Sequence, residues 1–197
     1  MKLIEDGFIN RNRKIILIAI AIMLVSIIAG ATIAYLTSNG EYNVISNAMS
    51  SQPVKNNTIE DIGMSAVNIF IHNTIADMAV VVGGAFFSII SIILVIFNGI
   101  SVGHMFGIDL PYALTAVLPH GVIEYLAGAL ALAIAFKITS LEIKIIRNRS
   151  LKNTINDNKT DLKDMLVILI VMIVLLGIAA IIEAHITPMI VTWYFGL

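Results

Sequence analysis

The chain has 197 residues, of which 58% are hydrophobic and only 13% are charged, about half the charged share of a typical soluble domain. Roughly a third of the surface of a water-soluble fold of this size stays exposed, so this composition excludes a soluble enzyme, a nucleic-acid binder and a disordered chain, and makes the bilayer the solvent. Cysteine is absent, which removes disulfides, zinc–thiolate sites and thiol nucleophiles.

A membrane-spanning helix needs about 20 apolar residues. The first such run, 15–36, carries no charge and follows Arg11, Arg13 and Lys14. It is too long for the apolar core of a cleaved signal and reads as a retained anchor. The polar loop 38–61 follows, with room for a short surface helix and with the sequon Asn56-Asn57-Thr58. Between 62 and 136 the only formal charges are Asp77, Asp109 and Glu124. Apolar runs at 67–71, 78–97 and 112–136 are separated by Asn98-Gly99 and by Gly107-Ile108-Asp109-Leu110-Pro111, both read as turns or helix breaks. The segment 137–164 is hydrophilic, and its first part, 140–148, is expected to prolong a helix. The last span is expected at 165–183. Thr187-Pro188 then reads as a helix stop, and 189–197 is too short to cross.

The charges set a topology. Of the 12 basic residues, 4 precede Ile15, 1 lies in 38–61, 7 lie in 137–164 and none follows. The positive-inside rule places the N-terminus and the 137–164 loop in the cytoplasm and the C-terminus outside. The chain must therefore cross an odd number of times between 62 and 136. The expectation is an all-α, polytopic membrane helix bundle forming one domain over 1–197. It has five crossings, or four and a re-entrant or broken element between 62 and 120. The additional turn falls either at Gly83-Gly84 or within 99–120.

Polar side chains inside an apolar bundle are costly and mark sites or packing contacts. Asn73 and Asp77, His120 and Glu124, and Glu183 and Thr187 are each four residues apart and so share a helix face. Three polar stripes can thus meet in one interior, with His185 beside the third. Glu124 must be protonated, paired or hydrated, and His120 is its nearest partner in sequence. Gly121 lets a neighbouring backbone come close. Asn98 follows a long apolar run. Gly99, Gly103 and Gly107 form a GxxxGxxxG register, which favours close helix packing. No spacing is diagnostic of a metal, and no metal or cofactor is assigned.

These residues carry a family resemblance. Asn73-Thr74-Ile75-Ala76, Gly83-Gly84, Phe97-Asn98-Gly99 with Gly103, Leu118-Pro119-His120-Gly121 with Glu124, and Ile182-Glu183 with Thr187-Pro188 resemble the stage II sporulation protein M family over about residues 62–188. The His120-Gly121-x-x-Glu124 piece after proline is the most specific. The first span and the loop 38–61 contribute nothing to it. The resemblance implies a polytopic membrane protein that in sporulating bacteria anchors peptidoglycan-remodelling enzymes.

Three functions follow in order. The first is a non-enzymatic scaffold or anchor, in contact with lipid and with protein partners or a second copy through the glycine-rich helix. The second is a small-molecule or ion transporter or channel with an intramembrane His–Glu site. The third is an intramembrane metal-dependent hydrolase using His120, Glu124, Glu183 and His185. No P-loop, nucleophile elbow, HExxH or dinucleotide fingerprint is present, and no nucleic-acid partner is expected.

Overall fold

The structure is a computed structural model that describes residues 6–38, 47 and 65–196. The sequon and the surface helix expected in the first loop lie outside the described residues. Among those described, no strand occurs. Helix α1 is Phe8–Thr37, α2 is Ala66–Gly83 and α3 is Ile89–Ile108. Helix α4 covers Leu110–Asn148, α5 is the short Leu151–Asp157, and α6 covers Lys159–Phe195. All but α5 are long and apolar enough to cross a membrane.

The packing partners fix the directions. Along α1 and α3, Ser26 meets Gly99, Ile27 meets Gly103 and Ala31 meets Gly107, so these two helices run parallel. Met23 lies against Gly128, and Asn12 against Lys137, so α4 runs antiparallel to α1. Asp77 lies by Gly128 and Gly84 by Ala135, so α2 shares the direction of α4. Asn12 bonds Asp164, which sets α6 parallel to α1. The chain therefore reverses at each step. The start of α1 and the 137–164 segment share one end, here the basic end, and the end of α6 lies at the other.

Helix α4 is the centre. Its stretch Ala127–Ala135 is buried, with Ala127, Ala131, Leu132, Ala133 and Ala135 at 0% exposure. Small side chains there let the neighbouring helices approach closely. The outer faces of the other helices are aliphatic and exposed, as at Val25, Ile28, Ile75, Ile93 and Val174, which suits contact with lipid.

The turn expected at Gly83-Gly84 is present. One 3₁₀ turn, Gly84–Phe86, ends α2, and Phe87 and Ser88 take left-handed backbone angles. Thr139 Oγ1 donates to the Gly84 carbonyl at 3.0 Å, and Ser88 lies 2.6 Å from the same hydroxyl. Ser91 Oγ donates to the Val80 carbonyl at 2.6 Å. Carbonyls freed at the turn are thus satisfied by side chains, as a low-dielectric setting requires. The chain also turns at Asp109, whose carboxylate accepts the Tyr112 N–H at 3.0 Å and caps α4. Three helices therefore occupy 62–136, and a re-entrant hairpin is not needed.

Two helix-break readings are corrected. Asn98-Gly99 does not interrupt a helix, because Gly99 is a contact point where the Ser26 side chain of α1 lies against the backbone. Thr187-Pro188 does not stop the last helix. The backbone widens into a π-helical turn at Ile182–Ile186 and α6 continues to Phe195. The same device precedes Pro119, which lies inside α4 after a π-helical turn at Ala113–Val117 rather than at a helix start. A widened turn absorbs the N–H that proline lacks and the room its ring requires.

The basic end is closed by charge. Arg11 grips Asp164 in bidentate fashion, at 2.9 Å from Nε and 2.8 Å from Nη2. Asn12 donates to Asp164 at 2.8 Å and accepts from Lys137 Nζ at 2.7 Å. Lys137 also donates to Asp161 at 3.0 Å, and Lys144 reaches the same carboxylate at 3.3 Å. Asn12, Lys137 and Asp164 are buried. This network ties α1, α4 and α6 together.

Two substitutions test this packing through thermal unfolding of the detergent-purified chain. At Gly103 an added Cβ meets the Ile27 carbonyl, whereas at Gly177 it meets only Phe70 at 3.9 Å. Gly103→Ala is expected to cost about 1–3 kcal/mol, and Gly177→Ala to cost nothing. Asp164→Ala removes the carboxylate that Arg11 and Asn12 share, while Lys137 keeps Asp161 and Asn12, and is expected to cost about 1–3 kcal/mol.

Candidate functional site

At the end opposite the charge network, α4 and α6 bring their polar residues together. His120 stands one position after Pro119; Glu183 lies within the π-helical turn of α6 and Thr187 directly follows it. His120 Nδ1 lies 3.2 Å from Thr187 Oγ1, and Nε2 lies 3.7 Å from Glu183 Oε2. One ligand atom each from His120, Glu124 and Glu183 falls within 4.8 Å of the others. The His120 ring and Thr187 are largely buried, and Glu183 is about one-third exposed. A π-helical turn adds one residue to the helix circumference, rotating the side chains after it relative to those before. On α6 Glu183 and Thr187, four residues apart, both face His120.

The third stripe lies deeper. Asp77 of α2 is 9% exposed, and its Oδ2 and the Thr74 hydroxyl one turn earlier have no hydrogen-bond partner. Asp77 and Glu124 are within electrostatic reach of each other, as are Glu124 and Glu183. Counting along α4 from Lys137 at about 1.5 Å per residue, the level of Asp77 is roughly 14 Å away, Glu124 roughly 20 Å and His120 roughly 25 Å. In an apolar slab of about 30 Å, Asp77 therefore sits near the middle and His120 near the far surface. Between Asp77 and the charge network lies a dry layer of Leu132, Ile168 and Met172, each at most 2% exposed.

The other expected site residues fall elsewhere. Asn98 and His185 are exposed on outer faces, and Asn73 is half-buried on α2. Gly121 packs beside Tyr125, not against another backbone. Gly99, Gly103 and Gly107 are occupied by α1 of the same chain, so a contact with another protein has to use other faces of α3. His120 bonds across to α6 instead of back to Glu124. An apolar hollow of about 390 Å³ between α1, α3 and α4, lined by Phe106, Val122 and Tyr125, faces away from this cluster.

The charge network at the basic end was not anticipated as a unit. Its signal was present: Lys137 directly follows the apolar run ending at Phe136, and Asp164 directly precedes the one beginning at Met165. Opposite charges that bracket a loop in this way face each other once the two helices pair.

Comparison with known proteins agrees with the motif reading. The stage II sporulation protein M family matches residues 19–188. The match includes most of α1, which the motifs alone left out; α1 packs along the whole glycine register of α3 and is integral to the bundle. An uncharacterized protein of Methanocaldococcus jannaschii is 29% identical over 143 residues, covering 70% of this chain and 79% of that one. No solved structure matches. With five apolar helices and a family match across most of its length, this chain is a multi-pass membrane protein of the stage II sporulation protein M family.

Proposed function

We propose that the protein is a non-enzymatic membrane scaffold that holds partner proteins at its basic end, and that this end faces the cytoplasm. The observation that carries this reading is the surface past Lys137. There α4 continues to Asn148 and is followed by α5. Ile143, Ile146, Leu151 and Ile155 are exposed on this extension, 40–63% of each side chain being accessible. Arg147, Arg149 and Lys152 accompany them. Ile146 lies roughly 14 Å beyond Lys137 along the helix, outside the apolar slab that this lysine bounds. Exposed aliphatics among basic residues at such a place suit a protein partner. The N-terminal basic residues share this end, so the positive-inside rule orients it inward.

The interior supports the same reading. The buried apolar layer around Leu132 and Met172 separates the polar cluster from the basic end, which among the described residues speaks against a continuous polar path. The charge network holds α1, α4 and α6 in one arrangement, whereas alternating access needs helices that rock against each other.

Crosslinking in native membranes, followed by purification of the full chain, tests the proposal. The unsubstituted chain is expected to retain a defined partner, and Ile146→Asp with Ile155→Asp to lose it at least about tenfold, as expected when hot-spot residues are removed. Glu124→Gln, far from this surface, leaves retention unchanged. Retention that survives the double substitution, or that is lost with Glu124→Gln, overturns the proposal.

A further inference from the structure

The polar cluster at the opposite end is not used by a scaffold, and it has a chemistry of its own. Its acids are Asp77, Glu124 and Glu183. Among the described residues, the elements around it supply no lysine or arginine: none lies in 15–136 outside the loop 38–61, and none follows Lys163. Along α4 the nearest is Lys137, roughly 25 Å from His120. Carboxylates gathered in a medium of low dielectric repel strongly, and leaving one buried charge unpaired is costly. With no compensating basic side chain among the described residues, the positive charge is supplied from solution, as a proton or a metal ion.

The donor geometry discriminates between the two. Borderline divalent ions bind imidazole and carboxylate at about 2.0–2.2 Å, which puts neighbouring ligand atoms roughly 3.3–3.6 Å apart in a tetrahedral site. His120 Nε2 and Glu183 Oε2 are 3.7 Å apart, and the Glu124 carboxylate completes a set within 4.8 Å. The second ring nitrogen is held by Thr187 Oγ1 at 3.2 Å. A metal-binding histidine characteristically has its other nitrogen held in this way, which fixes the ring and leaves Nε2 as the donor. Below the cluster, Asp77 is nine-tenths buried with an oxygen that no protein group satisfies. It borders the cluster on the inner side and is not part of the ligand set.

We infer that His120, Glu124 and Glu183 bind one divalent transition-metal ion of the zinc type near the membrane surface opposite the basic end, with Thr187 as the residue that positions His120. Two carboxylates and one imidazole without a thiolate suit zinc, cobalt or manganese and disfavour copper(I). The ion fastens α4 to the π-helical turn of α6, at the end of the bundle that the charge network does not reach. This inference does not depend on the scaffold reading.

The test uses the full-length chain in detergent, stripped with a chelator and titrated first with Co²⁺ and then with Zn²⁺. One Co²⁺ per chain is expected, with visible ligand-field absorption that Zn²⁺ abolishes. Glu183→Gln and His120→Gln are each expected to weaken binding by more than about 100-fold, and Thr187→Ala by about 10–100-fold. His185→Gln, on the exposed outer face, leaves binding unchanged. Circular dichroism and elution volume confirm that each variant is folded. Absence of stoichiometric binding in the unsubstituted chain overturns the inference and leaves the proton as the counter-charge. Equal binding by folded Glu183→Gln, or loss on His185→Gln, overturns it as well.

Discussion

Inside a bilayer no water is available to satisfy a free backbone amide or carbonyl, and this chain places its turns at the ends of the bundle, where side chains and widened turns keep the main chain satisfied. At the turn after α2, Thr139 and Ser91 donate to the carbonyls of Gly84 and Val80. At the turn before α4, Asp109 receives the Tyr112 amide. Where proline removes a donor inside α4 and α6, the backbone widens by one residue and continues. The polar side chains near these places serve first to keep the main chain satisfied.

The candidate site lies at one end of the bundle, together with Pro119 and Pro188. There the last turns of α6 pack against the widened turn of α4, and the four-residue spacing of Glu183 and Thr187 turns both towards His120. The bundle is polar at its two ends for different reasons: at the basic end opposite charges neutralise each other within the chain, and at the other end like charges gather around a single imidazole. The alanine-rich middle of α4 keeps the two apart.

Much of this was legible in the residues. Apolar run lengths and the distribution of lysine and arginine narrow the bundle to five crossings, or four and a re-entrant element, and the spacing of Asn73/Asp77, His120/Glu124 and Glu183/Thr187 indicates which faces turn inward. The glycine register correctly signals close packing, but spacing alone cannot say that its partner is α1 of the same chain. Asn98-Gly99 and Thr187-Pro188 mislead because their turn-forming tendency is a property of water-exposed chain. In lipid, a glycine serves as a contact point and a proline is absorbed by a wider turn. The charge network stayed hidden because Lys137 and Asp164 were counted as members of a basic loop, where only their sum matters for orientation. Their individual positions, each adjoining an apolar run, carry the structural information.

The pairing of Arg11 and Asn12 with Asp164 joins the first helix to the last across more than 150 residues. Lys137 and Asn12 satisfy each other between α1 and α4, but the carboxylates that complete the network, Asp161 and Asp164, both belong to α6. A chain cut short before α6 leaves Arg11 and Lys137 without those carboxylates, so the last helix is the one that closes the basic end.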